Sequence, residues 1–126
     1  MEKLLVIDDE ARICEILRKF LTKKGYDVST ATSVLEGIEK VKNENPKVVF
    51  LDIRMPGMTG VEAIKRIKEI NPKIGIIMAT AVVDEKVAQE TIRMGATDYI
   101  IKPFDLDYLE KTLLVKLAEM RFDEPY

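Results

Sequence analysis

Apolar and polar positions alternate along the chain in two distinct rhythms. Short apolar runs occupy Lys3–Ile7, Val48–Leu51, Ile74–Ala79 and Tyr99–Ile101, and a half-polar run occupies Asp27–Ala31. Runs of this length read as strands, and unbroken apolar character marks strands covered on both faces. Each run is followed by a longer segment with helical spacing. Ile13, Ile16, Leu17, Phe20 and Leu21 share one face after the first run, and Val34, Leu35, Ile38 and Val41 after the second. Val61, Ile64, Ile67 and Ile70 follow the third, and Leu106, Leu109, Leu113 and Leu117 the fifth. The fourth helix, predicted over Asp84–Met94, has a thin apolar face of Val87, Ala88, Thr91 and Ile92.

The punctuation agrees with this division. Gly25 and Gly95 stand where a helix C-terminus calls for a left-handed residue. Asn45-Pro46 and Asn71-Pro72 interrupt helix ahead of a strand. Ser33, Thr59, Asp84 and Asp105 are suited to N-caps. Five β–α units with short connections predict an α/β fold: a five-stranded parallel sheet with helices on both faces. The expected strand order is 2-1-3-4-5, the doubly wound flavodoxin-like arrangement, with the half-polar second strand at an edge. No repeat or linker divides the chain. Residues 1–120 read as one domain and 121–126 as a polar tail.

That fold makes the ends of the strands the place to look for chemistry. Ligands bind beyond the carboxyl ends of the strands, at the switch point between strands 1 and 3. Strand 1 runs into Asp8-Asp9-Glu10 and strand 3 into Asp52. Three carboxylates in one crevice repel unless a cation joins them or one takes a proton. An oxygen-only acidic site suits a hard cation, and Mg²⁺ binds through few carboxylates while keeping waters or phosphate oxygens. Asp8 and Asp9 also suit helix capping, but two consecutive caps are unnecessary and Asp52 precedes no helix directly. Thr80 follows strand 4 and Lys102 follows strand 5. A metal, an ammonium and a hydroxyl together match the charge on a phosphoryl group in transfer. The residues alone leave the nucleophile open among Asp8, Asp9 and Asp52.

Composition narrows the function classes. The 126 residues are 47% apolar, enough for one sizeable core. Twenty basic and 22 acidic residues give a net charge of −2, which disfavours nucleic acid as a direct partner. There is no histidine, so a Ser-His-Asp triad, a Cys/His zinc site and a phosphohistidine on this chain are excluded. Cys14 is the one cysteine and reads as a semi-buried small residue on the first helix. The run Ile74–Val83 is about half the roughly 20 residues of a membrane span, and no signal-peptide pattern is present, so a soluble cytoplasmic protein is expected.

Four segments resemble the response-regulator receiver domains of two-component signal transduction, in the manner of chemotaxis regulators. They are Val6-Ile7-Asp8-Asp9-Glu10, the stretch Leu51 to Gly60, Thr80-Ala81, and Asp98 to Phe104 with Lys102-Pro103 inside it. The resemblance implies an aspartyl phosphate on Asp52, formed from a sensor histidine kinase or a phosphotransfer protein. It implies Mg²⁺ held by Asp9, Asp52 and the carbonyl of Arg54, with Asp8 acting through water. It implies that Lys102 and Thr80 contact phosphoryl oxygens, that Tyr99 turns inward as Thr80 moves, and that Lys102-Pro103 is cis. Such a protein is no metabolic enzyme and catalyses only its own phosphorylation and dephosphorylation. Its partner is a downstream protein or an attached output domain, DNA-binding or enzymatic. The positions two beyond Asp52 and Thr80, Arg54 and Val82, are ones that vary in the family and tune phosphate lifetime. An Asp-dependent phosphohydrolase and a flavodoxin-like electron carrier are the rival classes. The first spaces its two acids differently, and the second would place a phosphate against Asp8-Asp9-Glu10.

Overall fold

The computed structural model describes residues 1–81, 85–93, 95 and 98–122. Along the chain lie β1 (Lys3–Ile7), α1 (Ala11–Lys23), β2 (Asp27–Ala31), α2 (Val34–Glu44), β3 (Val48–Asp52), β4 (Arg54–Met55), β5 (Met58–Thr59), α3 (Gly60–Ile70), β6 (Gly75–Ala81), α4 (Glu85–Arg93), β7 (Asp98–Lys102) and α5 (Leu106–Phe122). Five strands form a parallel sheet in the order β2-β1-β3-β6-β7. This is the expected 2-1-3-4-5 arrangement, with β6 and β7 as its fourth and fifth members. β4 and β5 form a separate two-stranded antiparallel pair.

The period-two geometry of the strands divides the core in two. On one face Leu5, Ile7, Val49, Leu51, Ile76 and Met78 pack against α2 and α3 through Val34, Ile38, Val41, Ile64 and Ile67. On the other, Leu4, Val6, Val48, Phe50, Ile77 and Ile100 meet α1 and α5 through Leu17, Leu21, Leu109, Leu113 and Leu117. The central strands are therefore apolar throughout because both sides are covered.

The caps follow the side chains. Ser33 accepts a hydrogen bond from the Glu36 amide (3.2 Å), and Thr59 accepts one from the Glu62 amide (3.1 Å). Asp105 accepts one from the Asp107 amide (2.8 Å). Gly25 and Gly95 have φ of +97° and +114°, as their positions after helices require. Asp84, Val82, Met94, the side chain of Ala88 and residues 123–126 lie outside the described residues.

Several helix positions differ from the sequence reading. Ile16 is 44% exposed and Leu35 65% exposed, although both were expected on buried faces. Each lies at the margin of its apolar stripe, on the side left to solvent. Small residues take the close positions instead. Cys14 is fully buried on α1, and Gly37 on α2 sits so tightly on Ile7 that a Cβ would overlap the isoleucine. On α4, Thr91 is buried while Val87 and Ile92 remain partly exposed. α5 continues as helix through Arg121 and Phe122. A basic residue in the last turn suits the negative end of the helix dipole.

Candidate functional site

β1 and β3 are adjacent and parallel, with Ile7 paired to Leu51. The residues just past that pair, Asp8 and Asp52, therefore reach the same edge of the sheet. The carboxylates of Asp8, Asp9 and Asp52 each place an oxygen within 4.8 Å of the others. Asp8 is buried, Asp9 exposed, and the Asp52 side chain 11% exposed. The cluster is thus open on the Asp9 side and closed behind Asp8.

Asp8 is fixed from two directions. Its Oδ1 accepts a hydrogen bond from the Glu10 amide (2.9 Å), and its Oδ2 meets Lys102 Nζ at 3.0 Å. Its main-chain carbonyl accepts from the Cys14 thiol (3.3 Å), while its amide donates to Ala31 (3.0 Å). Glu10, not Asp8 or Asp9, occupies the N-cap of α1, and its side chain makes no cap bond. Simple capping therefore does not account for the two aspartates.

Lys102 ends β7 at the same edge and joins the acids. Its Nζ lies 3.0 Å from Asp8 Oδ2 and 3.3 Å from Asp52 Oδ2. Burial works against its charge, but hydrogen bonds and charge from Asp8 and Asp52 outweigh it and hold the ammonium above its ordinary pKa. Asp52 shows the converse balance. Burial raises its carboxyl pKa, Lys102 opposes the rise, and the charge of Asp8 adds to it. Among the described residues one cation is shared by two of the three acids, so a further positive charge is favoured there.

The segment after Asp52 shapes the open side. The Arg54 amide donates to Asp52 Oδ1 (3.2 Å). Met55 then enters a tight turn at Pro56-Gly57, where Gly57 has φ of +86°. Proline followed by a glycine at positive φ is the type II turn chemistry. A cavity of about 730 Å³ beside it is lined by Asp9, Arg54, Met55, Pro56, Glu62 and Val87, among others. Gly60 begins α3, and a Cβ there would come within 3.2 Å of Met78 Cε and 3.6 Å of the Ile53 carbonyl.

Thr80 lies inside β6 rather than after it, because that strand runs on to Ala81. It is buried opposite Ile101, and its hydroxyl donates to the Ala81 carbonyl (3.0 Å). Tyr99 on β7 is half-buried against the core face that contains Met78, its partner in register. The Lys102–Pro103 peptide bond is cis. The β4–β5 pair and the support of the Asp8 carbonyl by Cys14 were not foreseen. Two-residue strands carry no readable period, and a lone cysteine gives no directional signal.

The described site therefore joins three strand ends, an acidic trio, one shared lysine and a buried threonine in the fold's switch-point crevice. The family model for the response regulator receiver domain matches residues 4–114. The chain belongs to the response-regulator receiver domain family. It is 41% identical over 121 residues to the transcriptional regulatory protein ZraR of Klebsiella oxytoca, across 96% of this chain but only 27% of that protein. It is 40% identical over 104 residues to the chemotaxis protein CheY of Thermotoga maritima, covering 82% of this chain and 87% of that one. A CheY-like receiver structure from Methanospirillum hungatei superposes with a TM-score of 0.93 at 27% identity, over 98% of this chain and 99% of that one. The receiver thus matches both a short relative along most of its length and one part of a much longer regulator. Among the described residues, no helix is long and apolar enough to cross a membrane.

Proposed function

We propose that this receiver accepts a phosphoryl group on Asp52 from a histidine kinase or a phosphotransfer protein, in a Mg²⁺-dependent reaction. The observation that carries the choice of Asp52 is the difference between the three acids. Asp8, held by the Glu10 amide and Lys102, is the more deeply buried, its side chain 4% exposed. Asp9 is exposed at the margin of the cluster. Asp52 takes Lys102 on one oxygen and the Arg54 amide on the other, its side chain is 11% exposed, and the residues that follow it, Ile53 and Arg54, line the open cavity. An Asp52 oxygen attacks the donor phosphorus, the donor's phosphorus–nitrogen bond breaks, and its electron pair leaves with the donor imidazole.

The donor set fits a hard divalent cation: three carboxylates are in reach of one another, the Cys14 thiol beside them is turned to the Asp8 carbonyl, and the chain has no imidazole. Asp9, Asp52 and the carbonyl of Arg54 would hold Mg²⁺, with Asp8 assisting through water. When bound, the ion offsets the repulsion between an anionic donor and the carboxylates. Lys102 already stands at Asp52 and can pair with a phosphoryl oxygen. The Thr80 hydroxyl donates to the local Ala81 carbonyl, so turning toward the phosphoryl group exchanges that hydrogen bond for a charge-assisted one. The space Thr80 vacates admits Tyr99, and that movement alters the surface at α4 and β7.

The receiver unit spans residues 1–120 in this proposal, with 121–126 beyond it. A second reading places it as the regulatory part of a longer protein with an attached output domain. The 27% share of ZraR that the chain covers favours it. A cytoplasmic location and a downstream partner accompany either reading.

Intact-mass measurement after incubation with a small phosphodonor tests the assignment. Wild-type protein gains one phosphoryl group only with Mg²⁺ present, and Asp52→Asn gains none. Equal labelling of both proteins would rule out Asp52 as the acceptor.

A further inference from the structure

A second charged cavity lies at the other end of the sheet, where β3 and β6 begin rather than end. It has a volume of about 510 Å³ and is bounded by the turns before β3 and β6, the end of α3 and the outer half of α5. Four lysines line it: Lys47, Lys68, Lys73 and Lys116. No carboxylate is among its described lining residues. Its apolar walls come from Pro46, Pro72, Ile74 and Met120. The volume falls in the roughly 300–1,000 Å³ range of small-molecule sites.

The lysines are partly ordered already. Lys68 Nζ donates to the carbonyls of Ile74 (2.7 Å) and Pro72 (3.3 Å), which uses two of its three protons. Burial lowers the Lys68 pKa, and the charge of Lys116 lowers it further. Among the described residues Lys116 pairs with one carboxylate, Glu119 at 3.4 Å, which is 60% exposed and outside the cavity lining. Gly75 lies beneath: a Cβ there would come within 3.1 Å of Met120 Sδ and 3.5 Å of Lys116 Cγ. Glycine at this point lets α5 lay Lys116 and Met120 close over the sheet. Asn45 and Asn71 brace the rim through a 3.0 Å side-chain hydrogen bond.

We infer that this cavity is a binding site for a small phosphate monoester with an apolar body. A doubly charged head between Lys68 and Lys116 would relieve their repulsion, and lysine binds phosphate as a point charge. The cavity is several times larger than a bare phosphate, and Pro46, Pro72 and Met120 offer the remaining volume an apolar surface. The site lies away from the aspartates, so its occupancy is independent of the phosphoryl chemistry proposed for Asp52.

Amide NMR of the full chain tests this, with phenyl phosphate and inorganic phosphate as probes in metal-free buffer at fixed ionic strength. Phenyl phosphate is expected to shift residues 45–47, 71–75 and 116–120 saturably, and to bind more tightly than inorganic phosphate. Binding weakens about tenfold for Lys116→Gln, the size of one charge-assisted contact, and further for the Lys68→Gln/Lys116→Gln pair. Unchanged spectra around Asp52 show that each variant is folded, and Lys116→Gln alone suffices if the pair is not. Shifts confined to the Asp52 and Lys102 end, or scattered over exposed lysines such as Lys19, would overturn the inference. So would equal affinity in Lys116→Gln, or no preference for phenyl phosphate.

Discussion

The ammonium of Lys102 stands 3.3 Å from the carboxylate of Asp52, although they are 50 positions apart in sequence. β3 and β7 are not neighbours, since β6 lies between them. The contact exists because both residues end parallel strands at the same edge. Lys102 also holds Asp8, so one cation balances two poorly solvated acids.

Removing that cation leaves two carboxylates facing each other. Lys102→Ala is expected to destabilise the metal-free protein by about 1–3 kcal/mol at neutral pH, less than a fully buried pair because Lys102 remains partly solvated. Urea unfolding checks this, and millimolar Mg²⁺ should recover part of the loss.

Asp52 has the opposite sign. Its folded-state pKa is raised, mainly by burial, so folding favours the protonated form. Between its unfolded and its folded pKa the native state holds more protons, and stability falls as pH rises through that window. Above it the ionised carboxylate is a standing cost. Asp52→Asn should therefore raise the melting temperature of the metal-free protein at pH 7 by about 3 °C, and the gain should vanish below the window. Paired melts at pH 7 and in acid measure both statements.

Metal should reverse the order. A cation that binds only the native state stabilises it by mass action. Millimolar Mg²⁺ is expected to raise the melting temperature of wild type by several degrees and that of Asp52→Asn by less. Equal shifts for the two proteins would mean that the ion does not use Asp52.

Thr80 should matter after labelling rather than for it. Its hydroxyl donates to the local Ala81 carbonyl and, among the described residues, to no site carboxylate, so Thr80→Ala should leave Asp52 labelling intact. The ring signals of Tyr99 should then respond much less to a beryllofluoride mimic than in wild type, as read by NMR. A full Tyr99 response in the variant counts against the coupling.

Two glycines separate backbone strain from crowding. At Gly57 φ is +86° and a Cβ would meet nothing within 4 Å, so Gly57→Ala should cost about 1 kcal/mol through strain alone. At Gly37 the backbone is helical but a Cβ overlaps Ile7, so Gly37→Ala should cost about 1–3 kcal/mol through overpacking. Denaturant titration of both variants tests the distinction.

Much of this was legible in the chain. Consecutive apolar residues at Val48–Leu51 and Ile74–Ala79 signal strands covered on both faces, and the regular β–α alternation leaves few topologies. Ser33, Thr59 and Asp105 act locally, so their caps could be read from spacing. Ile16 and Leu35 were misplaced because helical period marks a stripe but not its width. The width depends on what the helix packs against in the folded chain, which no local pattern contains.

The sequence by itself determined the element order, the turns and the arrival of Asp8, Asp9, Asp52 and Lys102 at strand ends, because these follow from short-range periodicity and parallel topology. Only the tertiary structure decided how the acids differ. Burial, the Glu10 amide, the shared Lys102 and the Arg54 amide reach each carboxylate through space, and those contacts set its charge and access. The lysine-lined cavity has the same origin: Lys47, Lys68, Lys73 and Lys116 come from separate segments, and packing α3 and α5 over the starts of β3 and β6 brings them together.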